Sequence, residues 1–235
     1  MISPHDAVPY VRLCMVYATV LAAHVAFTPP ARPQKNAGKK RDSITRASAW
    51  HPVVMKSVLW ILALCESCFT LAATTHLHPL LRDVLGLSST LHPTLAPAFV
   101  VGVALVALGG AGRAACYRAL GRHFTFELTL QDGHRLVTDG PYAVVRHPSY
   151  AAIVPVVLGL PLALLGPGSW AQTSGALHTP AGALAAAAWV LNLAWLPAAL
   201  VARVGMEDDM LRREFGPEWT EWAHRTPYKL VPGVY

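Results

Sequence analysis

Residues 134–150 read HRLVTDGPYAVVRHPSY, a short polar segment between long apolar runs, and the fold is read outward from it. Gly140-Pro141 is a turn signal. His147 precedes a proline, which pushes it away from helical geometry. Pro148 suits the first position of a helix, because its missing N–H is not needed there. The next amides, of Ser149, Tyr150 and Ala151, are then expected to be unpaired donors facing Arg146 and His147. A helix start beside a guanidinium and an imidazole is a good anion site. The function is expected to live here.

Outside this segment the chain is short of charge. Of 235 residues, 54% are hydrophobic and 14% charged, against about 25% charged in soluble domains. That composition points to a membrane protein. The net charge of +6 lies mostly outside the apolar runs. It suits anionic lipid headgroups, and no basic helix or stacking platform favours nucleic acid. Cys14, Cys65, Cys68 and Cys116 sit in or beside apolar segments without disulfide spacing. Cys65-Glu-Ser-Cys68 lies inside an apolar run, so these are small core residues, and no metal centre is expected.

Five apolar runs, at about 7–27, 53–75, 95–116, 148–165 and 181–204, are read as spans, since crossing a bilayer takes roughly 20 helical residues. The first lacks a basic start and a cleavage pattern, so it is read as a helix rather than a leader, with Arg12 snorkelling to an interface. Glu66, near the middle of the second run, must face protein, water or a partner; a functional acid and an interhelical hydrogen bond are both open. Gly109, Gly110 and Gly112 predict close helix packing. Pro155 and Pro161 predict a kink in the fourth helix. The basic stretches at 28–52 and 113–146 are cytosolic by the positive-inside rule. Five spans then put the amino terminus outside and the tail in the cytosol. The expectation is an all-α polytopic transmembrane bundle forming one domain over 1–235. Its cytosolic pocket is built from the connection before the fourth helix and the carboxyl-terminal tail.

In the tail, Arg203, Glu207, Leu211 and Phe215 are each four residues apart and share a helical face. Arg203 and Glu207 fit either an interfacial ion pair or a site. Trp219 and Trp222 are read as an interfacial aromatic belt, and Asp208, Asp209, Arg212, Arg213 and Glu214 as a solvated face. If the fourth and fifth helices are neighbours, Arg146 and His147 meet Arg203 and Glu207 at the mouth of the bundle. Such a pocket suits a molecule with a greasy tail and a polar head.

The two clusters resemble the isoprenylcysteine carboxyl methyltransferase family. The resemblance rests on H-R-L-V-T-D-G-P-Y at 134–142, R-H-P-S-Y at 146–150, R-x-x-x-E at 203–207, Leu211, F-G at 215–216 and W-x-x-W at 219–222. It covers roughly the half of the chain from Leu120 onward. It implies a multi-spanning enzyme of the endoplasmic reticulum membrane that esterifies the carboxylate of a prenylated cysteine, in a protein or peptide, with S-adenosylmethionine. By resemblance His134, Arg135, Leu136, Val137, Tyr142, His147, Pro148, Ser149, Tyr150 and Glu207 contact the cofactor, and Arg203 contacts the substrate. Arg203, Glu207 and Arg146 are the catalytic candidates. Arg146 would hold the cofactor's carboxylate, while Glu207 would pair with its ammonium or with a ribose or adenine donor. The 28–52 loop has no placed counterpart, and tryptophans stand where relatives often carry tyrosines. The alternative is an N-methyltransferase acting on phosphatidylethanolamine-type lipids, which needs a base such as His147 or Glu207.

Overall fold

A computed structural model of the chain describes residues 4–30, 43–47, 49–74, 93–124, 126–127, 133 and 135–235. The described residues form helices, 3₁₀ turns and irregular connections, with no strand among them. In chain order the helices are α1 (Pro4–Ala26), α2 (Ser43–Ala47), α3 (His51–Thr74), α4 (Pro97–Leu120), α5 (Pro148–Leu164), α6 (Trp170–Thr173), α7 (Pro180–Phe215) and α8 (Pro217–Arg225). Prolines stand in the first turns of α4, α5, α7 and α8, where the absent N–H costs nothing.

Four helices have the length and apolarity to cross a membrane: α1, α3, α4 with its terminal 3₁₀ turn, and α7. The fourth expected span, α5, is apolar but only 17 residues long, about 25 Å of helix. Large apolar side chains remain outside the bundle, including Ile61, Leu64, Leu108, Leu184 and Leu191, each at least 60% exposed. Such a surface fits lipid and not water. The molecule is built as an integral membrane protein.

The helices alternate in direction. At one end Arg12 of α1 reaches Thr94, before α4, and Glu66 of α3 reaches Trp170, which opens α6. At the other end the last residue of α1, Ala26, meets Arg113 near the end of α4, and Arg203 of α7 meets Phe126. The described ends of the two expected basic connections and the tail therefore lie at one end of the bundle. The lysines and most arginines of the 28–52 loop lie outside the described residues.

The tightest packing is between α4 and α5. A Cβ on Gly109 would come within 2.5 Å of the Ala152 carbonyl and 2.6 Å of Val156, and one on Gly102 within 2.7 Å of Gly159 and Ala163. Gly102 thus faces the end of α5 and Gly109 its beginning, so the pair is antiparallel, and small residues set the spacing as expected. Pro155 and Pro161 both lie inside α5.

One sequence expectation is corrected here. Arg12 does not snorkel. Its side chain is fully buried; Nη1 donates to the Thr94 carbonyl at 2.7 Å, and Nη2 lies 3.7 Å from Glu66 Oε1. Glu66 also accepts from the Trp170 amide at 2.8 Å, so it is an interhelical hydrogen-bonding group. A charge inside the bundle gains more from a partner than from a distant interface.

Candidate functional site

The polar segment at 134–150 folds as its punctuation predicts. Gly140 adopts φ +57°, open to glycine, and starts a 3₁₀ turn over Gly140–Ala143. His147 has φ −123° and ψ 60°, off the helical region before Pro148, which opens α5. The backbone of the motif is held by the tail: the amides of Arg146 and His147 donate to the carbonyls of Tyr228 and Lys229 at 3.0 and 2.8 Å. The expected free amides differ from this. Those of Tyr150 and Ala151 bond the His147 carbonyl at 3.0 and 3.2 Å, closing the first turn on itself.

Two acids of α7 face the motif and play different parts. Asp208 is buried: Oδ1 lies 2.9 Å from His147 Nε2, and Oδ2 accepts from Arg146 Nη2 at 3.2 Å. Arg146 Nη1 donates to the carbonyls of Thr226 and Pro227, both at 2.9 Å. Glu207, with 26% of its side chain exposed, accepts from the Tyr150 hydroxyl and stands 3.7 Å from His147 Nδ1. The His147 and Tyr150 rings stack at 5.4 Å, an interplanar angle of 19°. The imidazole therefore bridges a closed carboxylate and an open one.

These groups border a cleft of about 770 Å³, its open mouth included. Arg135, Leu136, Val137, Tyr142, Arg146, His147, Ser149, Tyr150, Arg203 and Glu207 all line it. Pro148 is buried at the helix start, outside that wall, and His134 lies outside the described residues. Ser149 Oγ accepts from Arg113 Nη1 at 2.7 Å, and the same guanidinium bonds the Ala26 carbonyl and the Tyr117 hydroxyl. Burial, then the neighbouring Cys116 and Glu207, holds the Tyr142 phenol well above its ordinary pKa, so it stays protonated at neutral pH.

A second, largely apolar cavity of about 560 Å³, its open mouth included, adjoins the cleft. Phe124, Tyr150 and Arg203 line both spaces. Arg203 is 3% exposed and donates to the Phe126 carbonyl at 2.7 Å. A guanidinium therefore stands where a polar cleft meets a greasy one.

Two readings of the tail are corrected. Asp208 is not part of a solvated face, because α7 turns it inward toward Arg146 and His147. Trp222 is 3% exposed, and its Nε1 donates to the Tyr142 carbonyl at 3.1 Å, so it closes the cleft rather than floating in an interface. A periodicity signal existed for Asp208: Leu200, Val204 and Asp208 recur every four residues, and all are buried. The acid ends an apolar stripe.

The sequence comparisons point the same way as the motifs. Residues 101–173 match the model of the Isoprenylcysteine carboxyl methyltransferase (ICMT) family. The chain is 28% identical over 128 residues to Protein-S-isoprenylcysteine O-methyltransferase B of Arabidopsis thaliana, covering 54% of this chain and 55% of that protein. A probable protein-S-isoprenylcysteine O-methyltransferase of Oryza sativa subsp. indica is 28% identical over 127 residues, 53% and 56% of the two chains. A Delta(14)-sterol reductase of Mus musculus is 27% identical over 103 residues, covering 44% of this chain but 20% of the reductase. The chain thus spans about half the length of the methyltransferases it matches, and the resemblance carried by its motifs is borne out.

Proposed function

We propose that the protein transfers a methyl group from S-adenosylmethionine to the carboxylate of an isoprenylated cysteine, giving a methyl ester. The observation that supports this most is the junction of the two cavities at Arg203. A prenylated cysteine is half greasy chain and half carboxylate, and the two spaces match those halves. On this reading the whole of 1–235 acts as one catalytic domain, because α4, α5, α7 and the tail border the cleft, while α2, α3 and Phe27 line the cavity beside it. The chain would sit in the endoplasmic reticulum membrane with the cleft toward the cytosol, where its basic connections belong.

The donor set fits S-adenosylmethionine. Glu207 offers a partly open carboxylate for an ammonium or a ribose hydroxyl, and Leu136, Val137, Met210 and Leu211 offer an apolar wall for a base. When bound, that molecule supplies a methyl group activated by its sulfonium. The protein's residues do the rest. A cysteine α-carboxyl has a pKa near 3.5 and is anionic at neutral pH, so no base has to remove a proton. Arg203 would hold it through a planar fork suited to carboxylates. His147, fixed by Asp208, and Tyr150 would keep the Glu207 carboxylate in place, and Arg146 would tie the tail to the motif. The apolar cavity would exclude water from the acceptor. Orientation of this kind contributes on the order of 7–11 kcal/mol in the best cases.

The test is to incubate membranes holding the protein with methyl-labelled S-adenosylmethionine and a farnesylcysteine analogue. Label released as methanol in alkali is the expected result. Label in lipid that resists alkali would assign an N-methyltransferase instead, and no labile label above a Glu207→Ala control would refute methyl transfer to a carboxylate.

A further inference from the structure

Two buried arginines of the bundle have carboxylate partners, Arg12 with Glu66 and Arg146 with Asp208. Arg113 of α4, 4% exposed, is held by uncharged oxygens instead. Nε and Nη2 donate to the Ala26 carbonyl at 3.1 and 2.8 Å, and Nη2 also donates to the Tyr117 hydroxyl at 2.7 Å. Nη1 donates to Ser149 Oγ at 2.7 Å and, at 3.4 Å, to the Ser149 carbonyl. Among the described residues no carboxylate pairs with Arg113, since the ion pairs all lie elsewhere. The carbonyl end of α1 offsets its charge only in part, by about half a unit. Every nitrogen is engaged, so the guanidinium offers a ligand its charge and no free donor.

That charge borders the apolar cavity. Arg113 and Arg203 both line it, with no carboxylate among the described lining residues. Phe126 joins the two: its ring lies 5.4 Å from Arg113 Cζ, and its carbonyl accepts from Arg203 Nη1. The open carboxylate of Glu207 lines the cleft and not this cavity. A buried cation without a counter-charge is costly, and an anion entering beside it lowers that cost. We propose that Arg113 is a specificity-determining residue, which favours an anionic acceptor through its fixed charge while Arg203 makes the direct bonds. This rests on reading the cavity as the acceptor's site. The same charge favours release. Methyl transfer turns the carboxylate into a neutral ester as the S–C bonding pair returns to sulfur, with no proton moved, and the ester gains nothing from Arg113. A unit charge about 12 Å away, at an effective dielectric of about 20, changes an affinity about tenfold.

Binding is the readout, so the test does not depend on methyl transfer. The full chain in phosphatidylcholine nanodiscs, without donor, is offered S-farnesylcysteine or its methyl ester in competition with a fluorescent S-alkylcysteine. Each affinity is corrected for partition into empty nanodiscs. Arg113→Gln removes the charge and keeps an N–H donor; it should weaken the acid about tenfold and leave the ester as it was. Arg113→Lys keeps the charge and should retain most of the preference for the acid. An acid-to-ester ratio that Arg113→Gln leaves intact overturns the proposal, as does an equal loss in the Gln and Lys variants, which would assign the effect to geometry. If Arg113→Gln does not fold, Arg203→Gln supplies the test. With the direct bonds gone, Arg113 should still favour the acid, and equal binding of acid and ester refutes its role. A wild type that methylates farnesylcysteine yet binds acid and ester alike upholds the reaction and refutes this assignment. A preference for the acid that is lost in Arg113→Gln, without any methyl transfer, does the reverse.

Discussion

The bundle carries a buried ionic cluster at each end, and the two are built differently. At one end Arg12 and Glu66 close on each other and on backbone: Glu66 takes the Trp170 amide, while the Arg12 guanidinium donates to Thr94 and sits 4.0 Å over the Phe99 ring. Both side chains are at most 3% exposed. At the other end Arg146, His147 and Asp208 form an equally closed set, but the chain adds Glu207, turned 26% outward into a cleft. The difference is one open carboxylate and the space in front of it. Buried ion pairs are weak evidence for stability, because desolvation offsets much of the attraction. The far cluster therefore reads as a device for fixing helix register, and the near one as a device for holding Glu207 and Arg203 in place.

Three substitutions can break this contrast. The largest effect is expected at the closed end. Glu66→Ala strands a buried guanidinium and should cost about 3–5 kcal/mol in unfolding measurements, while a paired Arg12→Met, Glu66→Met variant should recover most of it. Neither should alter methyl transfer per folded molecule. Asp208→Asn should act on both counts. It keeps the shape but weakens charge-assisted bonds to Arg146 and His147, costing about 1.5–3 kcal/mol and reducing kcat/KM roughly tenfold to a hundredfold. Smallest is Thr179→Ala, which removes the side chain accepting the Gly182 amide at 3.0 Å at the start of α7. It should lower thermal stability by about 1 kcal/mol and leave the kinetics alone.

The legible parts of the fold are those set by local rules. Proline at the first turn, glycine at the turn before Tyr142, and apolar runs of spanning length locate the starts of the long helices within a few residues, while α7 runs on past the expected 204 to Phe215. The contact between 146–150 and 203–207 follows from the helix directions and the short connection between α5 and α7. What escaped depends on rotation and on distant partners. Asp208 sits among charged neighbours that do face solvent, and only its register with Val204 and Leu200 sets it apart. Arg12 near an apolar run fits snorkelling until α1 and α3 are known to be adjacent, which brings Glu66 within reach. The Tyr150 and Ala151 amides were expected to await an anion, but the off-helix geometry of His147 leaves its carbonyl placed to take them. For Trp222, the helix break at Gly216, with φ +50°, lets α8 fold its indole onto Tyr142.

The central claim is that donor and acceptor occupy separate spaces that meet at Arg203. Two-substrate initial-rate kinetics on Arg203→Lys and Glu207→Gln test it most directly. Arg203→Lys should raise the KM for the farnesylcysteine analogue about tenfold or more, with little change in the KM for S-adenosylmethionine. Glu207→Gln should do the reverse. Equal shifts in both constants for both variants would contradict the division and leave a single undivided site.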